Sequence, residues 1–127
     1  MAETISRIVL VTGAAGGIGS AMVASLLAAG HRIAALDHDA KGLDALLAAH
    51  GSHSNLDAIE ADLSTARGCE AGMAAAISHF GRVEVVVNNA GIGVSSLRPD
   101  SLPSCANLCV RSGLIALYER QSPCVFI

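Results

Sequence analysis

Apolar runs rich in β-branched residues recur along the chain, at Arg7–Thr12, Arg32–Asp37, Leu56–Ala61 and Val83–Asn88. Each is short, and the first and last are almost continuously apolar, as expected of central parallel strands covered on both faces. They begin 25, 24 and 27 residues apart, the length of one strand plus one crossover helix. Between them the apolar positions change to a helical period. Ile18, Met22, Leu26 and Ala29 share one face, Leu43, Leu46 and Leu47 mark a shorter helix, and Cys69, Met73, Ala76, Ile77 and Phe80 line a third. Gly30, Gly51 and Gly81 follow these helices where a left-handed terminating residue is needed, and Asp39 and Ser64 are candidate N-caps.

Strand–helix alternation with right-handed crossovers predicts an α/β fold, a Rossmann-type doubly wound parallel sheet. Its first four strands take the order 3-2-1-4, with a switch point between strands 1 and 4. The rhythm ends near Leu97. All three prolines and three of the four cysteines fall in the last thirty residues, with one of the thirteen glycines. The expected organisation is therefore a βα unit over 1–97, truncated after about four strands, and an atypical tail over 98–127. A weak helix is expected at Gly113–Gln121, and a paired strand in the tail is doubtful. The fourth strand would then be an exposed apolar edge through which the chain could self-associate.

Composition narrows the function. With 52% hydrophobic and 15% charged residues and a net charge of −3, no basic face is expected for nucleic acid or an anionic membrane. One Tyr, two Phe and no Trp supply no base-stacking platform. Residues 8–30 carry no charge and are long enough to span a bilayer, but five are Gly and six Ala. A strand followed by a glycine turn fits them better. Arg7 precedes too short an apolar run for a secretory signal. No Cys-x-x-Cys pair occurs and the histidines are not spaced as zinc ligands, so reduced thiols, no metal and a cytoplasmic location are expected.

The candidate chemistry lies where strands end. Thr12-Gly13-Ala14-Ala15-Gly16-Gly17-Ile18-Gly19 joins the first strand to the first helix. Such a turn lets backbone approach a ligand, and the new helix offers free N–H groups and a positive dipole end to a pyrophosphate. No Lys follows the glycines, which excludes a P-loop. Asp37 ends the second strand, 18 residues after Gly19, where a carboxylate can accept from an adenosine-ribose 2′-hydroxyl and repel a 2′-phosphate. Asp62-Leu63 follows the third strand and Asn88-Asn89-Ala90-Gly91 the fourth. Paired amides can also satisfy backbone groups at a strand end, so a purely structural role for Asn88 stays open.

These four features, in this order over residues 5–94, resemble the short-chain dehydrogenase/reductase family. The resemblance makes Thr12, Gly13, Gly17, Ile18 and Gly19 its cofactor motif and Asn88, Asn89, Ala90 and Gly91 its sheet-and-adenosine motif. It makes Asp37 the NAD-selecting acid and Asp62 and Leu63 the pair along the adenine. It implies hydride transfer between an alcohol and a carbonyl, with NAD favoured over NADP. The family's catalytic Tyr-x-x-x-Lys does not occur: the single tyrosine, Tyr118, is followed four residues later by Ser122, and the single lysine is Lys41. No catalytic residue is therefore assigned, and Tyr118 is expected to be a packing residue. The change of composition after Arg98 is what a shifted reading frame or a truncation would produce. Three readings stand: a truncated oxidoreductase, inactive alone; a non-catalytic dinucleotide-binding module; and a non-functional fragment.

Overall fold

The computed structural model describes residues 5–51, 53–89 and 125–126. The elements run β1 (Ile8–Thr12), α1 (Gly17–Ala28), β2 (Arg32–Asp37), α2 (Ala40–Ala49), β3 (Leu56–Glu60), α3 (Ala66–Phe80), β4 (Val85–Val87) and β5 (Val125–Phe126). They form one parallel sheet in the order β3-β2-β1-β4-β5. The α/β class, the doubly wound parallel arrangement and the 3-2-1-4 order expected from the pattern are all present.

Alternation along β1 explains the layers. Val9 and Val11 point to one face and pack with Val23 and Leu27 of α1 and Leu43 and Leu46 of α2. Ile8 and Leu10 point to the other and pack with Cys69, Met73, Ala76 and Phe80 of α3. β1 is buried at all five positions because helices cover both its faces.

The face of α1 is shifted by one residue from expectation. Gly19, Val23 and Leu27 are buried, whereas Ile18 is 73% exposed. Alanines and glycines give α1 little amphipathic contrast, so close approach at Gly19 decides which side meets the sheet. Asp39 caps α2 by accepting from the Gly42 N–H at 3.1 Å, as anticipated. The cap of α3 is Thr65 rather than Ser64: its hydroxyl accepts from the Gly68 N–H at 3.0 Å, while Ser64 turns back to Asp62. Gly30, Gly51 and Gly81 all take positive φ after their helices.

The tail corrects the expected edge. Val125 and Phe126 pair in parallel with Val85 and Val86, so β4 is an interior strand there and the sheet has a fifth member. The prolines of the tail all precede Val125, so none removes a donor from this pairing, and a β-branched and an aromatic residue suit a strand. The helix expected at Gly113–Gln121 and Tyr118 lie outside the described residues.

Candidate functional site

The carboxyl ends of β1, β2 and β4 are knitted into one rim. Leaving β1, the chain turns at Gly13, whose φ of 65° is the left-handed conformation that favours glycine. The Ala14 N–H donates to the Leu36 carbonyl (3.1 Å) and the Gly16 N–H returns to the Gly13 carbonyl (3.2 Å). α1 then starts immediately. A Cβ on Gly19 would lie 2.1 Å from the Gly13 carbonyl oxygen and 2.9 Å from the Ala14 Cα. Only a glycine lets the first turn of the helix sit on the loop that precedes it.

The consequence is a helix N-terminus that faces outward without a side-chain cap. The N-cap of α1 is Gly16, which has no side chain to offer, whereas α2 and α3 are capped by Asp39 and Thr65. The first N–H groups of a helix have no intrahelical partner. A Cβ on Gly17 would meet nothing within 4 Å, so the backbone there borders open space. This arrangement fits an anionic group such as a pyrophosphate.

Asp37 sits beside this turn with its side chain only 9% exposed. Its Oδ2 accepts the Ala15 N–H at 3.0 Å and its Oδ1 the Asp39 N–H at 3.0 Å. The carboxylate thus ties the glycine turn to the end of β2 as well as being a candidate acceptor for a ribose. Ala15 carries no signal in the sequence because its part is played by backbone. The exposed His38 imidazole places Nδ1 3.2 Å from Asp37 Oδ1. Gly42 lets α2 approach the turn, since a Cβ there would lie 2.7 Å from that of Ala15.

On the β4 side, the buried Thr12 hydroxyl accepts the Asn89 N–H at 3.0 Å. The Asn89 side-chain amide donates to the Gly13 carbonyl at 3.3 Å. Asn89, more than Asn88, therefore satisfies backbone exposed where strands end; Asn88 meets the Thr12 hydroxyl only at 3.5 Å. Ala90 and Gly91 lie outside the described residues.

At the end of β3, Asp62 is exposed and Leu63 buried. Hydrogen bonds from the Ser64 hydroxyl and backbone N–H hold the Asp62 carboxyl below its ordinary range, against a smaller opposing effect of desolvation and with the least contribution from His38. The Leu63 side chain belongs to the core beneath α3, where its carbonyl accepts from the Cys69 thiol at 3.5 Å, so toward a ligand it offers backbone. Ile18, by contrast, is an apolar side chain left free on the first turn of α1. Among the described residues no cluster of His, Cys, Asp and Glu could hold a metal ion, and no helix is long and apolar enough to cross a membrane.

Comparison with known proteins gives a consistent answer. A family model described as short chain dehydrogenase matches residues 7–111. The chain is 38% identical over 87 residues to a D-threitol dehydrogenase of Mycolicibacterium smegmatis, covering 68% of this chain and 34% of that protein. It is 38% identical over 119 residues to an acetoacetyl-CoA reductase of Rhizobium meliloti, covering 94% of this chain and 48% of that one. It therefore spans between about a third and a half of the length of these curated relatives. Among solved structures, the 3-ketoacyl-(acyl-carrier-protein) reductase of Brucella melitensis complexed with NADH superposes with a TM-score of 0.82. That match is 24% identical and covers 98% of this chain and 57% of the other, which establishes likeness of fold.

Proposed function

The chain belongs to the short-chain dehydrogenase family, and from that premise we propose that it is the dinucleotide-binding part of an NAD-dependent alcohol or carbonyl oxidoreductase. The observation that carries the reading is the uncapped N-terminus of α1 placed beside the nearly buried Asp37. In this reading the N–H groups that follow Gly16 hold the pyrophosphate, with Gly13 and Gly19 shaping the turn and Thr12 bracing it from β1. Asp37 accepts from the adenosine-ribose 2′-hydroxyl and disfavours a 2′-phosphate, which makes NAD the preferred cofactor and NADP the weaker one. Asp62 and the Leu63 backbone border the adenine, Ile18 supplies apolar cover, and Asn88 and Asn89 complete the rim; Ala90 and Gly91 are assigned to the cofactor from the sequence motif they share with Asn88 and Asn89. The bound dinucleotide supplies the hydride acceptor or donor.

The sequence holds no Tyr-x-x-x-Lys, so no side chain is assigned to move the alcohol proton. Positioned acid–base groups typically contribute about 10²–10⁴-fold, and we expect this chain to bind NAD without turnover. The charge balance and buried Cys69 are consistent with a reduced, cytoplasmic setting. The reading is tested by combining an NADH fluorescence titration with a screen of secondary alcohols for NAD reduction. Saturable binding without reduction is expected. Turnover that is lost in Tyr118→Phe would mean that the tail supplies an active site, and absence of binding would refute the reading altogether.

A further inference from the structure

We propose that Gly68 is a positioning residue for the adenine side of the cofactor site: it seats α3 on the Asp62 carbonyl and so fixes where Asp62 and the Leu63 backbone meet the ligand. The inference rests on the cofactor reading above and starts from a repeat in the geometry. Between β1 and α1, the helix cap Gly16 comes three residues after Gly13, and Gly19, three residues further, packs on the Gly13 carbonyl. Between β3 and α3, Asp62, the cap Thr65 and Gly68 repeat that spacing. The Gly16 N–H donates to the Gly13 carbonyl at 3.2 Å, and the Thr65 N–H to the Asp62 carbonyl at 3.5 Å. A Cβ on Gly68 would overlap the Asp62 carbonyl oxygen and lie 2.7 Å from its carbon and 3.0 Å from Thr65 Oγ1. The chain thus uses one kind of strand-to-helix turn twice. Each time a glycine at the third helical position lets the helix rest on backbone.

The two turns differ in their caps. Gly16 leaves the first open to an anion, whereas Thr65 closes the second: its hydroxyl accepts from the Gly68 N–H at 3.0 Å and donates to the Asp62 carbonyl at 3.3 Å. What the second turn presents is the exposed Asp62 carboxylate, held by the Ser64 hydroxyl and backbone N–H. That presentation has little freedom. The Leu63 side chain is buried beneath α3, and the Ala61 N–H ties the end of β3 to the Asp37 carbonyl at 2.9 Å. A side chain at position 68 therefore pushes on the Asp62 backbone, with no flexible group between them to give way. Asp62 then shifts relative to Asp37, and the gap between these two strand ends is where the adenosine lies in the cofactor reading.

The test is calorimetric titration of the full chain with NAD and with adenosine monophosphate, in the wild type, Gly68→Ala and Gly72→Ala. Gly72 lies one turn further along α3, where a Cβ would press on side chains alone, 2.6 Å from Leu36 Cδ2 and 3.2 Å from Ala61 Cβ, so its variant reports what general strain in the helix does. Gly68→Ala is expected to weaken both ligands by about two- to tenfold, the worth of one ordinary hydrogen bond. Its Asp62 carboxyl should also rise toward the ordinary range in an NMR titration, because the hold of Ser64 is disturbed. Gly72→Ala should bind both ligands as the wild type does. Thr65→Ala removes the hydroxyl that joins Asp62 to Gly68 without adding an atom, and should weaken binding in the same direction; it carries the test if Gly68→Ala does not fold. Wild-type affinity in Gly68→Ala, or in Thr65→Ala where that variant stands in, overturns the positioning role alone, as does an equal loss in Gly72→Ala. Failure of the wild type to bind either ligand overturns the cofactor reading and this inference together.

Discussion

Substituting Gly19 and Gly17 separately by alanine divides the architecture of the glycine turn from its suggested use. A Cβ at position 19 falls 2.1 Å from the Gly13 carbonyl oxygen, 2.8 Å from its carbon and 2.9 Å from the Ala14 Cα. A carbon–oxygen contact needs about 3.3 Å, so α1 and the turn must separate by roughly 1 Å. Both sides are backbone, held by the Ala14–Leu36 and Gly16–Gly13 hydrogen bonds, so no side chain can swing away. Overpacking of this kind costs about 1–3 kcal/mol and occasionally more. Alanine regains up to about 1 kcal/mol of helix propensity, so the net loss should be about 1–2 kcal/mol. At position 17 the Cβ meets nothing, and Gly17→Ala should stabilise the fold by about 0.5 kcal/mol. Urea unfolding should therefore shift in opposite directions from wild type, with the two variants about 1.5–2.5 kcal/mol apart. NAD affinity should fall in both, because the Gly17 Cβ enters the space assigned to the pyrophosphate. If Gly19→Ala unfolds at the wild-type midpoint, the packing argument is wrong; if Gly17→Ala binds NAD unchanged, that space is not the phosphate site.

Asp37→Ala should bring the NAD and NADP affinities together, measured by titration. It should also destabilise the chain by about 1–3 kcal/mol, because the Ala15 and Asp39 N–H groups lose their acceptor. Thr12→Val keeps the shape but removes the acceptor of the Asn89 N–H, and should cost about 1–3 kcal/mol in thermal or chemical unfolding. Ser64→Ala should raise the Asp62 carboxyl back toward its ordinary range in an NMR titration, since Ser64 is the main cause of its depression. A depressed folded-state pKa stabilises the fold above the unfolded value and loses that contribution as pH falls through the folded value. Acid unfolding of Ser64→Ala should accordingly lose less stability below the ordinary carboxylate range than wild type does.

The sheet and its order were legible because strand and helix periods differ and because the apolar runs recur at the length of one βα unit. β2 matches its apolar run residue for residue, and α3 buries the face that Cys69, Met73, Ala76 and Phe80 mark out. α1 was misplaced in rotation because a helix of alanine and glycine is apolar on nearly every side, and the selecting feature is a missing Cβ at Gly19. β5 was not legible because two residues paired across a long sequence separation carry no period. In the site, side chains with distinctive chemistry stood out at strand ends. Ala15 did not, because what it contributes is a backbone N–H whose partner only the fold supplies. Leu63 shows the reverse: its place beside Asp62 could be read from the sequence, but not that its side chain enters the core.

The central claim is that NAD lies across the carboxyl ends of β1 and β2 with its phosphates on the N-terminus of α1. Backbone amide chemical-shift mapping of the isotopically labelled chain during NAD titration tests it most directly. The account predicts saturable shifts concentrated at Gly13–Gly19, at Asp37 and His38, and at Asp62 and Leu63. The amides of Gly81 and Arg82, at the opposite end of the sheet, should stay unmoved. Saturable binding whose shifts cluster away from the glycine turn, or no shifts at millimolar NAD, would contradict it.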